Sequence, residues 1–311
     1  MTRASKIIVL LSVIVLSGFF IRAVQQPTFD IKEKGKAIIN TPKNVAETYE
    51  IKALKMPTNL SFAGERVPTE IPDVYERMDR ELLVNTYWQS NALLYIKRAN
   101  KYFPIIEPIL AKNGIPNDFK YLALIESGLT NASSPAGAKG VWQILKSTAR
   151  ENGLEVNSNV DERFNLEKAT EVACKYFNKA YDKFHSWSLV AASYNAGRSG
   201  ISRQLERQQV TSYYNLLLGE ETSRYVFRII AAKEILSHPK KYGFIFEKQD
   251  LYLNRPTYTV EVDSVITNIA NFAKRYSLNY KEFKILNPWL RENKLNNASK
   301  KKYDIRLPAY E

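Results

Sequence analysis

Between Val74 and Ser237 no stretch alternates apolar and polar residues over the length of a strand, whereas apolar side chains recur at three- and four-residue spacing throughout. That spacing turns one face of each segment toward a core and leaves no material for a sheet. The span is expected to fold as a compact all-α domain. Helical spacing runs over residues 74–113 through Leu82, Leu83, Tyr87, Leu93, Leu94 and Ile96, with Pro104 and Pro108 expected to break or start helices. Asn113, Gly114, Ile115 and Pro116 form a turn leading into a short apolar helix that stops at Gly128. The small-residue stretch 133–140 reads as a loop. Helices are predicted over residues 142–152, 167–184, 186–196, 199–207, 213–217 and 220–238.

The pattern changes after residues 242–256. Residues 258–262 alternate like a strand, 264–276 and 280–286 read as helices, and 303–308 read as a closing strand. A strand-helix-helix-strand unit of this size is a separate small α+β module. At the other end, Arg3 and Lys6 precede an unbroken apolar run over residues 7–21, the layout of a secretory signal. Cleavage and retention as a membrane anchor both remain open, and a basic flank held inside would leave the body of the protein outside. The expected organisation is a signal peptide or anchor over 1–24, a polar linker over 25–59, the helical domain over 60–245 and the small module over 256–311.

With 311 residues and 45% apolar composition, the chain has enough material for a full core. Its formal net charge of +13 favours a polyanionic partner: cell-wall polymer, anionic lipid surface or nucleic acid. The single cysteine, Cys174, rules out an intrachain disulfide and a cysteine metal cluster. The two histidines, His185 and His238, read as surface or loop residues, so a metal site would need carboxylate ligands alone, and no acidic loop offers them; no cofactor is expected.

One residue stands against its surroundings. Phe119, Leu122, Ala123 and Glu126 fall at i, i+3, i+4 and i+7, so the Glu126 carboxylate belongs to the stripe that packs inward. It also lies at the negative end of its helix dipole. Burial and dipole both disfavour its charged form, and a carboxyl that keeps its proton near neutral pH suits a general acid. A helix-end Glu turned to solvent is the alternative. Three more polar clusters sit among apolar or small residues: Gly140, Trp142 and Gln143; Ser193, Tyr194 and Asn195; and Glu221, Thr222, Arg224 and Tyr225. Singly, each reads as a surface amide, a helix end or a local ion pair.

Together with Glu126 and Ser127, these clusters occur in the order Glu-Ser, Gly-x-x-Gln, Tyr-Asn, Glu-Thr-x-x-Tyr-Val. In this the chain resembles the lytic transglycosylases of the lysozyme-like superfamily over about residues 62–242. Ser147 to Ala149, Val160 to Arg163, and Ala169 with Thr170 add to the likeness. It departs from the family pattern at Leu145 and Lys146, where Met and Pro are usual, and at Ser193, where Ala is usual; altered substrate fit is expected there. The resemblance implies an exported periplasmic enzyme, a carbon-oxygen lyase acting on peptidoglycan strands. Glu126 would protonate the glycosidic oxygen between N-acetylmuramic acid and N-acetylglucosamine. The substrate's acetamido group would stabilise the cationic centre. Glu126 would then take the proton of the C6 hydroxyl, giving a 1,6-anhydro end. Tyr194 is the implied hydrogen-bond partner of Glu126. Ser127, Gln143 and Asn195 would hold the sugar, while Glu221 and Tyr225 would brace the cleft, with Tyr225 also able to touch substrate. The last module resembles a degenerate glycan-binding LysM domain through Tyr258, Asp263, Tyr276, Asn287 and Pro288, and residues 305–308. It lacks the usual Gly before the Asp.

The fold class expected is mainly α: a lysozyme-like helical domain followed by a LysM-like α+β module, in a monomer attached to the cell envelope. Three other readings stand beside this one. A hydrolytic muramidase on the same scaffold would differ in its product, and a non-catalytic wall-binding protein would not need Glu126. Nucleic acid is not expected as a partner, since charge is its one motive and the export signal opposes it.

Overall fold

The computed structural model describes residues 51–309, and those from Ala53 onward form one compact unit. The predicted apolar run over 7–21 lies outside the described residues, as does most of the predicted linker. Among the described residues no helix is long and apolar enough to cross a membrane.

A two-residue hairpin comes first, β1 (Ser61–Phe62) with β2 (Glu65–Arg66), turned by Ala63 and Gly64 at positive φ. Phe62 is fully buried, its ring 5.1 Å from that of Phe119. Eight helices follow: α1 (Pro72–Tyr87), α2 (Gln89–Lys112), α3 (Lys120–Ser127), α4 (Lys146–Glu151), α5 (Leu166–Phe184), α6 (Trp187–Ala196), α7 (Arg198–Gln208) and α8 (Glu220–Ser237). α6 is the central rod. Its run from Ser188 to Ser193 is buried, and it packs against α5, α7 and α8. A helix apolar all round belongs inside. Glu65 anchors its start from the hairpin, accepting from the Ser188 amide at 2.9 Å and the Ser188 hydroxyl at 2.6 Å, where a negative charge favours a helix N-terminus. Burial pushes the Cys174 thiol up to about 12, which keeps it protonated in the core.

Several expected boundaries moved, each for a visible reason. Pro104 and Pro108 lie inside α2 and do not break it. Their missing N–H groups would have bonded to the carbonyls of Asn100 and Pro104, and all three residues lie on the exposed side, where water can serve those carbonyls. The helix expected over 142–152 starts only at Lys146, because Gly140 and Gln143 take positive φ (80° and 47°) and Leu145 is extended. The helix expected over 213–217 is one 3-10 turn, Tyr213–Asn215. In the last module the helix expected over 264–276 shrinks to α9 (Ile269–Lys274). Asn268 caps it through the Asn271 amide, and Ile266 pairs with Leu295 instead.

That module is β3 (Thr257–Val262), α9, α10 (Tyr280–Leu286) and β4 (Tyr303–Pro308), with β3 and β4 antiparallel from Thr257 opposite Pro308 to Val262 opposite Tyr303. Ile269, Phe283, Leu290, Leu295, Ile305 and Leu307 form its core, and Val160 and Phe164 from the helical part belong to the same cluster. The fold is thus a predominantly helical body with a small strand-helix-helix-strand module built onto it.

Candidate active site

α3 delivers Glu126 at its last turn, and Gly128 closes the helix in the left-handed region (φ 60°), its amide bonding to Leu124 O. A side chain at Gly128 would meet the Tyr95 ring and Arg98 at 3.1–3.2 Å, while Arg98 Nη1 donates to Gly128 O at 3.0 Å. The helix end is held from α2, so the carboxyl that precedes it has a fixed origin.

Glu126 is half-buried, and the Tyr225 hydroxyl donates to its Oε1. Burial pushes the carboxyl above the ordinary carboxylate range; the Tyr225 bond and the Arg228 charge pull it back, and the nearby Glu221 charge adds to the rise. Tyr225 is buried in α8, and its own pKa is held well above that of a free phenol, by burial first and by Glu126 second. It stays a hydrogen-bond donor throughout the ordinary pH range.

The sequence-based pairing of Tyr194 with Glu126 is corrected here. The Tyr194 hydroxyl donates to Trp142 O at 2.7 Å, and its ring packs on Tyr176 and Phe177. Tyr194 is near enough to feel the Glu126 charge, but its hydrogen bond holds the 140–143 turn. The pairing was implied by the family resemblance; the hydrogen bond to Glu126 comes from Tyr225, the residue assigned to bracing the cleft.

The other expected site residues are also engaged. Ser127 Oγ donates to Val141 O at 2.8 Å, tying α3 to the turn. Gln143 Nε2 donates to Gly140 O at 2.8 Å and Ala132 O at 3.2 Å, so its amide nitrogen is used inside the loop and its Oε1 is the free end. Asn195 Nδ2 donates to Glu221 Oε1 at 3.0 Å and its Oδ1 accepts from Thr222 Oγ1 at 2.7 Å. These bonds join the end of α6 to the start of α8. The structure therefore links Glu126 with Tyr225, Ser127 and Tyr194 with the 140–143 turn, and Asn195 with Glu221.

Some contributors carried no assigned role from sequence. Arg228 donates to Ile125 O at 3.3 Å and places positive charge beside Glu126; it stands one helical turn after Tyr225, a spacing that would have pointed to it. Arg163 and Asp161 form a buried pair, with Nη2 to Oδ2 at 2.8 Å and Nε to Oδ1 at 2.9 Å. Arg163 Nη1 also donates to Gly137 O at 2.9 Å and Ile144 O at 3.2 Å. This fork clamps both ends of the loop that presents Gln143. Among the described residues no group of three or more His, Cys, Asp or Glu side chains is placed to hold a metal.

Residues 103–217 match the transglycosylase SLT domain family, and residues 258–311 match the soluble lytic transglycosylase C-terminal LysM-like domain. The membrane-bound lytic murein transglycosylase D of Escherichia coli K12 is 29% identical over 192 residues, covering 59% of this chain and 42% of that protein. The same enzyme of E. coli O6:H1 strain CFT073 matches to the same extent, so the match spans less than half the length of either relative. An X-ray structure of the lytic transglycosylase Slt from Pseudomonas aeruginosa, in an inactive mutant, aligns at TM-score 0.36 with 17% identity, over 49% of this chain and 26% of that one. In its helical part and in its C-terminal module the chain is thus similar to lytic transglycosylases, and residues 258–311 match their LysM-like domain.

Proposed function

We propose that the chain is an exported lytic transglycosylase that cuts peptidoglycan glycan strands without consuming water. The observation that carries this is the Glu126 carboxyl: half-buried, raised in pKa by burial, and oriented by the Tyr225 hydroxyl. Glu126 enters protonated and gives its proton to the glycosidic oxygen as the bond from C1 of N-acetylmuramic acid breaks. The acetamido oxygen of the same sugar stabilises C1. The Glu126 carboxylate then removes the proton of the C6 hydroxyl, whose oxygen closes on C1. Glu126 ends protonated, as it began, so one carboxyl serves both halves of the reaction. Tyr225 and Arg228 support the carboxylate formed between the two steps, and the free Oε1 of Gln143 is placed to accept from the sugar. Ser127, Tyr194 and Asn195 act on substrate through the loop and helix ends they hold. In this reading the protein works as a monomer on the envelope side of the membrane.

Glu221 supports a second reading. Its charge reaches Glu126, and glycosidases that use water keep two carboxyls about 5 to 9.5 Å apart. Glu221 is already bonded to Asn195, which favours a bracing role. Mass spectrometry of products from purified peptidoglycan separates the readings. Anhydro ends that vanish in Glu126→Gln support transglycosylation, and reducing ends that vanish in Glu221→Gln support hydrolysis. Unchanged lysis by Glu126→Gln would remove Glu126 from the chemistry altogether.

A further inference from the structure

A cavity of about 1010 Å³ lies where the C-terminal module meets the helical body, large enough for an extended ligand. Its lining includes Lys101, Tyr102 and Ile105 of α2, Asn131 and Val141 beside the active-site loop, and Arg255, Thr257, Lys281 and Arg306 from the linker and C-terminal module. Val141 is the residue whose carbonyl Ser127 bonds, and Asn131 precedes Ala132, whose carbonyl Gln143 bonds. On α2, Tyr102 stands one turn beyond Arg98, which holds Gly128. The cavity therefore opens off the backbone that positions Glu126.

Its chemistry is selective. Of the cations lining it, Arg306 is paired with Glu167 and Lys168 with Glu162. Lys101, Arg255 and Lys281 form no ion pair among the described residues. Of the lining acids, Glu282 is used in capping α10, which leaves Asp304 as the unpaired one. Most of its aromatic rings are already engaged: Trp289 and Tyr303 stack on each other, and Arg291 lies 4.2 Å from the Phe164 ring centre. A site for a sugar chain normally offers open aromatic faces; this one offers spare cations and apolar flanks such as Ile105, Leu253 and Ile285.

We propose that this cavity between helical body and C-terminal module binds the carboxylate-bearing peptide stem of a glycan strand held at Glu126. The proposal rests on the peptidoglycan reading above and adds a peptide subsite to it. Lys101 and Arg255 would meet peptide carboxylates, and Ile105 and Ile285 would flank the aliphatic side chains.

The test compares two substrates on the full chain: strands that carry their stem peptides, and the same strands stripped of peptide by an amidase. The wild-type KM is expected to be lower by about tenfold for the peptide-bearing strand, the scale of two or three exposed ion pairs. The double variant Lys101→Glu with Arg255→Glu is expected to erase that difference while leaving kcat and cleavage of the bare strand unchanged. Equal KM for both strands in the wild type, or a preference that survives the double variant, would overturn the proposal. Calorimetric titration of both strands into Glu126→Gln reads the cavity independently of cleavage. Tighter binding of the peptide-bearing strand there supports the subsite even if the reaction assigned to Glu126 is wrong, and equal binding sinks it even if that reaction is right.

Discussion

A carboxyl half-sunk among apolar groups, with one phenol donating to it, has its proton affinity set by opposed effects. At Glu126 burial favours the neutral acid and Tyr225 favours the carboxylate, with burial the larger. Removing the Tyr225 hydroxyl deletes a bond that stabilises the charged form, so Tyr225→Phe should let Glu126 keep its proton to higher pH. The alkaline limb of kcat/KM is then expected to move upward. With it should come a fall in kcat of roughly 10- to 100-fold, the scale of one hydrogen bond to a charged group. A limb that stays in place would show that the hydroxyl does not govern this acid. Glu126→Gln should cost about 10³-fold or more in rate, the range of a lost general acid. Its effect on stability carries a definite sign. A carboxyl raised in the folded state contributes stability below its unfolded pKa and loses it as pH rises through the folded pKa. The melting temperature of Glu126→Gln should therefore gain on wild type as pH rises from the ordinary carboxylate range through the raised folded pKa, as thermal denaturation at a series of pH values will test.

At the scale of the element, the site depends on a loop with no regular structure. Residues 137–144 are held by the Arg163–Asp161 fork, by Ser127 at Val141 O and by Tyr194 at Trp142 O. Arg163→Ala would leave the Asp161 carboxylate buried without its partner, a loss of about 3–5 kcal/mol. Chemical denaturation should register it, together with a raised KM as Gln143 loses its support. Gly140→Ala should also destabilise: its φ of 80° is costly for any other residue, and the added carbon would stand 2.1 Å from Arg163 O. How far this was readable from sequence follows from which interactions are local. Helical spacing located α5, α6 and α8 to within about a residue, because burial of one face is written in neighbouring residues. The helix was expected to begin at 142, inside the 140–143 turn, because the positive φ values of that turn are imposed by partners distant in sequence, Arg163 and Ala132 among them. Pro104 and Pro108 looked like breakers because exposure of the carbonyls they leave unbonded is a tertiary fact. The inward carboxylate at Glu126 was legible in its own helix. The identity of its donor was not, since Tyr225 lies 99 residues away and the resemblance pointed to Tyr194.

For the molecule as a whole, the C-terminal module and the helical body share a core. Val160 and Phe164 are 1% and 4% exposed within the module's own apolar cluster, beside Leu290 and Phe283. Asp161 N bonds to Trp289 O and Arg291 N to Asn159 O, each at 2.8 Å, while the Asn159 side chain bonds to Lys294 O at 2.7 Å and accepts from the Asn296 amide at 2.8 Å. Glu155 receives Lys301 at 2.7 Å and the Tyr303 hydroxyl at 2.8 Å. A module joined by a flexible tether would show none of this. The segment that carries these contacts also carries Arg163, so loss of the module should reach the loop at Gln143. Calorimetry is therefore expected to show a single cooperative unfolding transition for residues 53–309, with calorimetric and van't Hoff enthalpies in agreement. A chain ended after Arg255 should expose Val160 and Phe164, each worth roughly 1.5–3 kcal/mol of burial. At about 2–4 °C per kcal/mol for a domain of this size, its melting point should fall by on the order of 10 °C. Two separated transitions in the intact chain, or an undiminished melting point after truncation, would mean that the module only rests against the helical body. In that case the cavity between them would have no fixed walls with which to select a peptide.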